Sequence, residues 1–159
     1  MDLLAVTDIK ETLGKKEKII FANEFIKARI DYKTELGKRK FIFAKFNYIS
    51  NQEHKSYIKG LRSRLIQDLV PQLNKIHNKY YTNRTWKIII DPWLTEYLEA
   101  NYYRWKMISN ILQGKRKFKV IFLENLKNFR TLFDSFDFAC LIAESSSYNQ
   151  YIFQRIINF

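Results

Sequence analysis

Trp86, Ile89, Ile90, Trp93 and Leu94 fall at i, i+3, i+4, i+7 and i+8 of one short stretch. That spacing is the repeat of a helix with one apolar face. Such a face is stable only when another layer covers it, so the rest of the chain must supply a partner. The stripe runs on through Tyr97, Leu98, Trp105, Ile108 and Leu112, which predicts a helix from about Arg84 to Leu112. Pro92 lies inside it. A proline there predicts a kink, or a second helix capped by Asp91 with Pro92 at its first position. Core packing is the first reading of these tryptophans and a binding wall the second.

A second long helical repeat precedes the first. Tyr57, Leu61, Leu65, Leu69, Leu73 and Ile76 share one face of a helix from about Glu53 to Asn78, with Pro71 set to kink or split it. Around the two helices lie short β-prone runs: Leu3 to Thr7, Lys18 to Ala22 after a turn at Leu13-Gly14-Lys15, Lys40 to Ala44, and Phe118 to Leu123. A weak helix is expected over Asn125 to Phe136. Phe138 to Ala143 reads as a buried strand, and Ser145-Ser146-Ser147 caps a last helix from Tyr148 onward. Strands separated by helices predict an α/β fold, a largely parallel sheet flanked by long helices. At 159 residues one domain is the default. The segment Tyr151 to Phe159 is apolar over most of its length and has no polar tail. It predicts a chain that continues into a further domain; a terminal helix docked on the sheet is the other reading.

Composition narrows the class. An apolar fraction of 47% argues against disorder. No run approaches the roughly 20 uncharged apolar residues of a membrane span. Asp8, Lys10 and Glu11 follow the apolar start at once, and Cys140 is the single cysteine, so a cytoplasmic protein without disulfides is expected. The net charge of +12 invites a nucleic-acid reading. The excess, however, is lysine spread along the chain, and no zinc-finger spacing, RNP strand or basic zipper region accompanies it. Phosphorylated ligands or an anionic membrane surface suit this charge better.

The usual catalytic signatures are absent. Gly14, Gly37, Gly60 and Gly114 are isolated, so no phosphate-binding glycine loop exists. His54 and His77 have no metal-ligand spacing, His77 reads as a helix-end residue, and Cys140 sits among apolar residues as a core thiol. Asp134 and Asp137 stand at i and i+3, a solvated face or a helix end rather than a cation-binding Asp-x-Asp. One constellation remains. In parallel sheets ligands bind where strands end and helices begin. Those junctions carry Thr7-Asp8, Asn23-Glu24 and Glu144-Ser145-Ser146-Ser147. They read as ordinary capping and turn chemistry, or as a polar rim for a sugar or phosphate.

Several of these segments, in order, resemble the bacterial transferases of surface-carbohydrate biosynthesis of the O-antigen type. The segments are Val6-Thr7, Glu11-Thr12-Leu13-Gly14, Ile19 to Phe25, Arg84 to Leu94, Tyr103-Arg104-Trp105 and Tyr148 to Ile152. The most specific is Arg84 to Leu94, where the family has a segment like Arg-Tyr-Trp-Arg-Ile-Leu-Leu-Gly-Pro-Trp-Leu. Leu13, Phe25 and Asp91 stand where the family carries Trp, Trp and Gly.

The resemblance implies the N-terminal, Rossmann-like half of a two-domain glycosyltransferase, on the side that takes a saccharide or lipid-linked glycan acceptor. It implies that the nucleotide-sugar donor is held only with a C-terminal domain, and that this portion binds no cofactor or metal of its own. It makes Glu24, Arg84, Trp86, Trp93 and Asn149 the expected binding or positioning residues, with Glu24 as polar partner or base. Peripheral contact with the inner membrane would follow from a lipid-linked acceptor. The competing reading is a non-enzymatic basic module that binds nucleic acid or another anionic polymer through Lys115, Arg116, Lys117 and Lys119. A third is a remnant without activity.

Overall fold

The computed structural model of the chain describes residues 1–15, 17–22, 26, 29–30, 36–46, 52–114, 117–124, 126 and 134–158. Four strands are described: β1 (Asp2–Ala5), β2 (Ile19–Phe21), β3 (Phe41–Phe43) and β4 (Phe118–Lys119). The α-helices are α1 (Gln52–His77), α2 (Asn83–Gln113), α3 (Ser135–Glu144) and α4 (Ser146–Ile157), with a short 3-10 turn at Lys10–Thr12. The chain divides into two compact units: Met1–Tyr48, Tyr103–Thr131 and Cys140–Phe159 form the first, Ile49–Tyr102 and Leu132–Ala139 the second.

The first unit is built on a parallel sheet of order β3-β2-β1-β4. Successive side chains of a strand point to opposite faces. Leu3 and Ala5 of β1 and Ile19 and Phe21 of β2 therefore meet Leu13, Ile26, Ile30 and Leu36 on one face. Leu4, Val6, Ile20 and Ala22 meet Met107, Ile108, Ile111 and Phe153 on the other. With both faces covered, β1 and β2 read as continuous apolar runs rather than alternating ones. The turn before β2 is closed by Gly14 at φ 59°, where an added Cβ would lie 2.9 Å from Leu3 Cδ2. Arg39 holds the same turn, donating from one nitrogen to the carbonyls of Leu13 and Gly14 at 2.7 and 3.0 Å.

The second unit is a helical hairpin. Ile58, Ile66 and Val70 of α1 pack with Trp86, Leu94 and Leu98 of α2. Neither proline splits its helix: Pro71 lies within α1 and Pro92 within α2. Both prolines are exposed, as are Gln67 and Ile88, whose i−4 carbonyls lose a donor, so water can satisfy them. On α1 the strict four-residue row of leucines drifts around the helix, which turns every 3.6 residues. The buried line becomes His54, Ile58, Ile66 and Val70, while Tyr57 and Ile76 of the expected stripe are exposed. Except at Ile89, which is exposed, the stripe on α2 holds as far as Leu98. Beyond it, where the helix joins the first unit, Met107, Ile108 and Ile111 are buried and Trp105 and Leu112 are exposed.

Two further expectations change. The apolar run Phe138 to Ala143 is helix α3, not a strand. Short apolar runs fit either element, and here the cap decides. Asp134 Oδ1 accepts the Asp137 amide at 2.8 Å, the geometry of an N-cap, so the paired carboxylates mark a helix start. The last β run is regular only over Phe118–Lys119. Of the helix expected over 125–136, residues 125 and 127–133 lie outside the described residues. The serine cap stands as expected: Ser145 Oγ accepts the Tyr148 amide at 3.1 Å, and α4 begins at Ser146.

Candidate functional site

The strand order places the sheet's reversal point between β1 and β4. From β1 the chain steps outward to β2 and β3, then returns to the other side of β1. Beyond the carboxyl ends of the strands flanking such a point lies the usual ligand crevice of an open α/β sheet. Thr7 and Asp8 follow β1, and Ile121 and Leu123 follow β4. Helix α4 lays polar side chains across both segments. Gln150, fully buried, accepts from Thr7 Oγ1 at 2.7 Å and donates to Gln154 Oε1 at 2.9 Å and to the Ile121 carbonyl at 3.4 Å. Gln154 in turn holds the Leu123 backbone in both directions, at 2.9 and 3.1 Å. Gln150 and Gln154 are one helical turn apart, so both face the sheet end.

At the rim of this network Ser146 Oγ donates to Asp8 Oδ1 and stands 3.5 Å from an Arg29 nitrogen. Arg29 also caps α3, donating to the carbonyls of Ala143 and Glu144. Carboxylate, hydroxyl and guanidinium thus form one chain, and Asp8 Oδ2 has no hydrogen-bond partner among the described residues. Beneath it, buried Arg104 donates from Nε and a terminal nitrogen to Asn149 Oδ1 and from that nitrogen to the Ile142 carbonyl. Burial lowers the Arg104 pKa from its ordinary value, while Tyr148 and Tyr103 act to raise it. Asn149 Nδ2 donates to the carbonyls of Ile142 and Ser145, at 2.7 and 3.0 Å. Arg104 and Asn149 together fix the α3–α4 junction that presents Ser146.

The expected site residues fall in different places. Of the three strand-end junctions, Thr7-Asp8 and Glu144–Ser146 come together. Asn23 and Glu24 lie outside the described residues. Asn149 belongs to this network in the first unit. Arg84, Trp86 and Trp93 belong to the second unit. Trp86 is buried and donates from Nε1 to Asn74 Oδ1 at 2.7 Å. Trp93 stacks on Tyr97 at 5.2 Å between centroids and tilts against Phe138 at 5.9 Å. Arg84 is exposed. In the basic turn, Lys115 and Arg116 lie outside the described residues, Lys117 is exposed, and Lys119 pairs with Glu17 at 2.9 Å. Arg29, Gln150 and Gln154 were not singled out from sequence. The one available sign was a pair of glutamines at i and i+4 of the last helix, which places them on one face.

Among the described residues, no group of three or more His, Cys, Asp or Glu side chains is placed to hold a metal ion. No helix there is long and apolar enough to cross a membrane. The class these features define is a parallel α/β protein with a polar cluster at the carboxyl end of its central strand. Residues 2–159 match the family described as LIC12162 family transferase, and the chain belongs to that family. No curated protein and no solved structure matches the chain.

Proposed function

We propose that the chain is the acceptor-side, N-terminal Rossmann-like portion of a glycosyltransferase-like enzyme of bacterial surface polysaccharide biosynthesis, of the O-antigen type. Membership of a transferase family supports the reaction type. The observation that carries the reading is the Asp8–Ser146–Arg29 chain at the reversal point of a parallel sheet. In this reading the acceptor hydroxyl gives its proton to Asp8 Oδ2 as its oxygen attacks the anomeric carbon of a nucleotide-activated sugar. The sugar–phosphate bond breaks and the nucleoside phosphate leaves. Ser146 fixes the carboxylate, and Arg29 holds Ser146 and the end of α3. The donor is held by a further domain, and the acceptor is a saccharide or a lipid-linked glycan at the cytoplasmic side of the inner membrane. Glu24, which follows β2, is the second carboxylate in this role.

The test is genetic and chemical together. Deleting the gene should shorten or remove the surface polysaccharide on gels. The wild-type gene should restore it, and one encoding Asp8→Asn at equal protein level should not. Full restoration by Asp8→Asn refutes the assigned base. Polysaccharide left unchanged by the deletion refutes the pathway.

A further inference from the structure

The turn that joins α1 and α2 is a basic stretch that carries exposed apolar side chains. Residues 69–90 contain no Asp or Glu, and they carry Lys75, Lys79, Arg84 and Lys87, all exposed. Large apolar side chains stand among those cations. Tyr80 is 96% exposed, Ile76 74% and Ile88 71%, with Ile89 also in solvent. The exposure is built into the turn. Asn78 ends α1 at φ 50°, the left-handed conformation of a helix C-cap. Lys79 N donates to the Asn74 carbonyl at 2.9 Å. The Asn74 side chain clamps Tyr81 N and Tyr81 O, each at 3.0 Å, and takes the Trp86 indole proton at 2.7 Å. Thr82 Oγ1 accepts the Thr85 amide at 3.2 Å and starts α2. A fixed turn therefore holds Tyr80 outward, with Ile76 and Ile88 on the helices beside it.

Cations interleaved with exposed aliphatics and a tyrosine match the two layers of an anionic bilayer surface. Phosphates meet the lysines and arginine, and the acyl boundary takes the isoleucines. Tyrosine suits the level between them. A nucleic acid would use the cations and leave Ile76, Ile88 and Ile89 in water. We infer that the α1–α2 turn is a membrane-docking tip that inserts Tyr80, Ile76 and Ile88 into the headgroup region of an anionic lipid surface. The inference uses nothing of the chemistry assigned to Asp8 and stands or falls apart from it.

Vesicle flotation of the full chain tests it. Binding is expected to phosphatidylcholine vesicles containing phosphatidylglycerol and not to pure phosphatidylcholine. Each neutralisation, Lys75→Gln, Lys79→Gln, Arg84→Gln or Lys87→Gln, should weaken binding about fivefold, the equivalent of about 1 kcal/mol per charge. All four together should weaken it by several hundredfold. Ile76→Ser with Ile88→Ser should lower it tenfold or more with every charge kept. All these positions are exposed, so circular dichroism should be unchanged. As a second readout, Tyr80→Trp should add fluorescence that brominated lipids quench. Equal binding to both vesicle types, binding indifferent to these changes, or no added quenching at position 80 overturns the inference. So does retention of duplex DNA that the fourfold variant abolishes, with no vesicle binding.

Discussion

Gln150→Leu removes a side chain that joins the segments after β1 and β4 while nearly keeping its volume. Gln150 and Thr7 are both buried, so no water can replace their 2.7 Å hydrogen bond. The change strands the Thr7 hydroxyl, and an unsatisfied buried group costs about 1–3 kcal/mol. It also removes the 2.9 Å bond to Gln154 Oε1, worth about 1 kcal/mol, although that oxygen keeps the Leu123 amide. The 3.4 Å contact to the Ile121 carbonyl adds little. Because leucine fills the space, the cavity contribution is small. The expected loss is about 2–4 kcal/mol, a large share of the roughly 5–15 kcal/mol that stabilises a typical domain. Thr7→Val alone should cost less, because it leaves one amide oxygen without its donor. The double variant should recover part of the sum, since replacing both partners by apolar groups is nearly neutral. Urea unfolding of the four proteins gives the coupling energy, expected at about 1–2 kcal/mol. Additivity within about 0.3 kcal/mol would refute the bridge.

Other expectations follow from single contacts. Trp86→Phe loses the indole donor to Asn74 and part of the ring packed against His77 and Tyr81, and should cost about 2–4 kcal/mol in urea unfolding; Asn74→Ala, which releases both Trp86 and Tyr81, should also destabilise. Asp134→Ala should remove about 1 kcal/mol through loss of the α3 cap, and Asp134→Asn should keep most of it. Asn149→Ala should cost about 2–3 kcal/mol, because it removes the side-chain oxygen that accepts two hydrogen bonds from the buried Arg104 guanidinium. Burial raises the Tyr103 pKa from 10.0, against the opposing Arg104 charge. The phenol's proton is thus held more tightly in the folded chain. This stability is fully present below pH 10 and lost as pH climbs through the raised value, and Tyr103→Phe should flatten that alkaline limb.

The three leading strands were legible because their apolar runs are short and set off by the turns at Gly14 and Gly37. The parallel sheet was expected from the long helices that separate these runs from the one at Phe118. Phe138 to Ala143 was not legible as a helix, because its composition suits a buried strand and its cap, Asp134, looks like half of a carboxylate pair. Tryptophan periodicity located the α1–α2 core but could not show that α2 exchanges one set of partners for another after Leu98. For the candidate site, Thr7-Asp8 and the serine cap could be read as strand and helix ends. Their meeting could not, because 138 residues separate Asp8 from Ser146 and only the sheet order brings them together. Gln150 lay beyond sequence reasoning for the same reason: a glutamine on a helix is ordinarily exposed, and only the topology buries it.

The most direct measurement is a residue-resolved NMR titration of the isotope-labelled chain with a nucleotide sugar and, separately, with a short oligosaccharide acceptor. Saturable shifts should concentrate on the amides of Thr7, Asp8, Ser145, Ser146 and Gln150, with the acceptor as the ligand that produces them. Shifts confined to Trp93 and Tyr97, or none with the acceptor at millimolar concentration, would contradict a ligand site at the carboxyl end of β1.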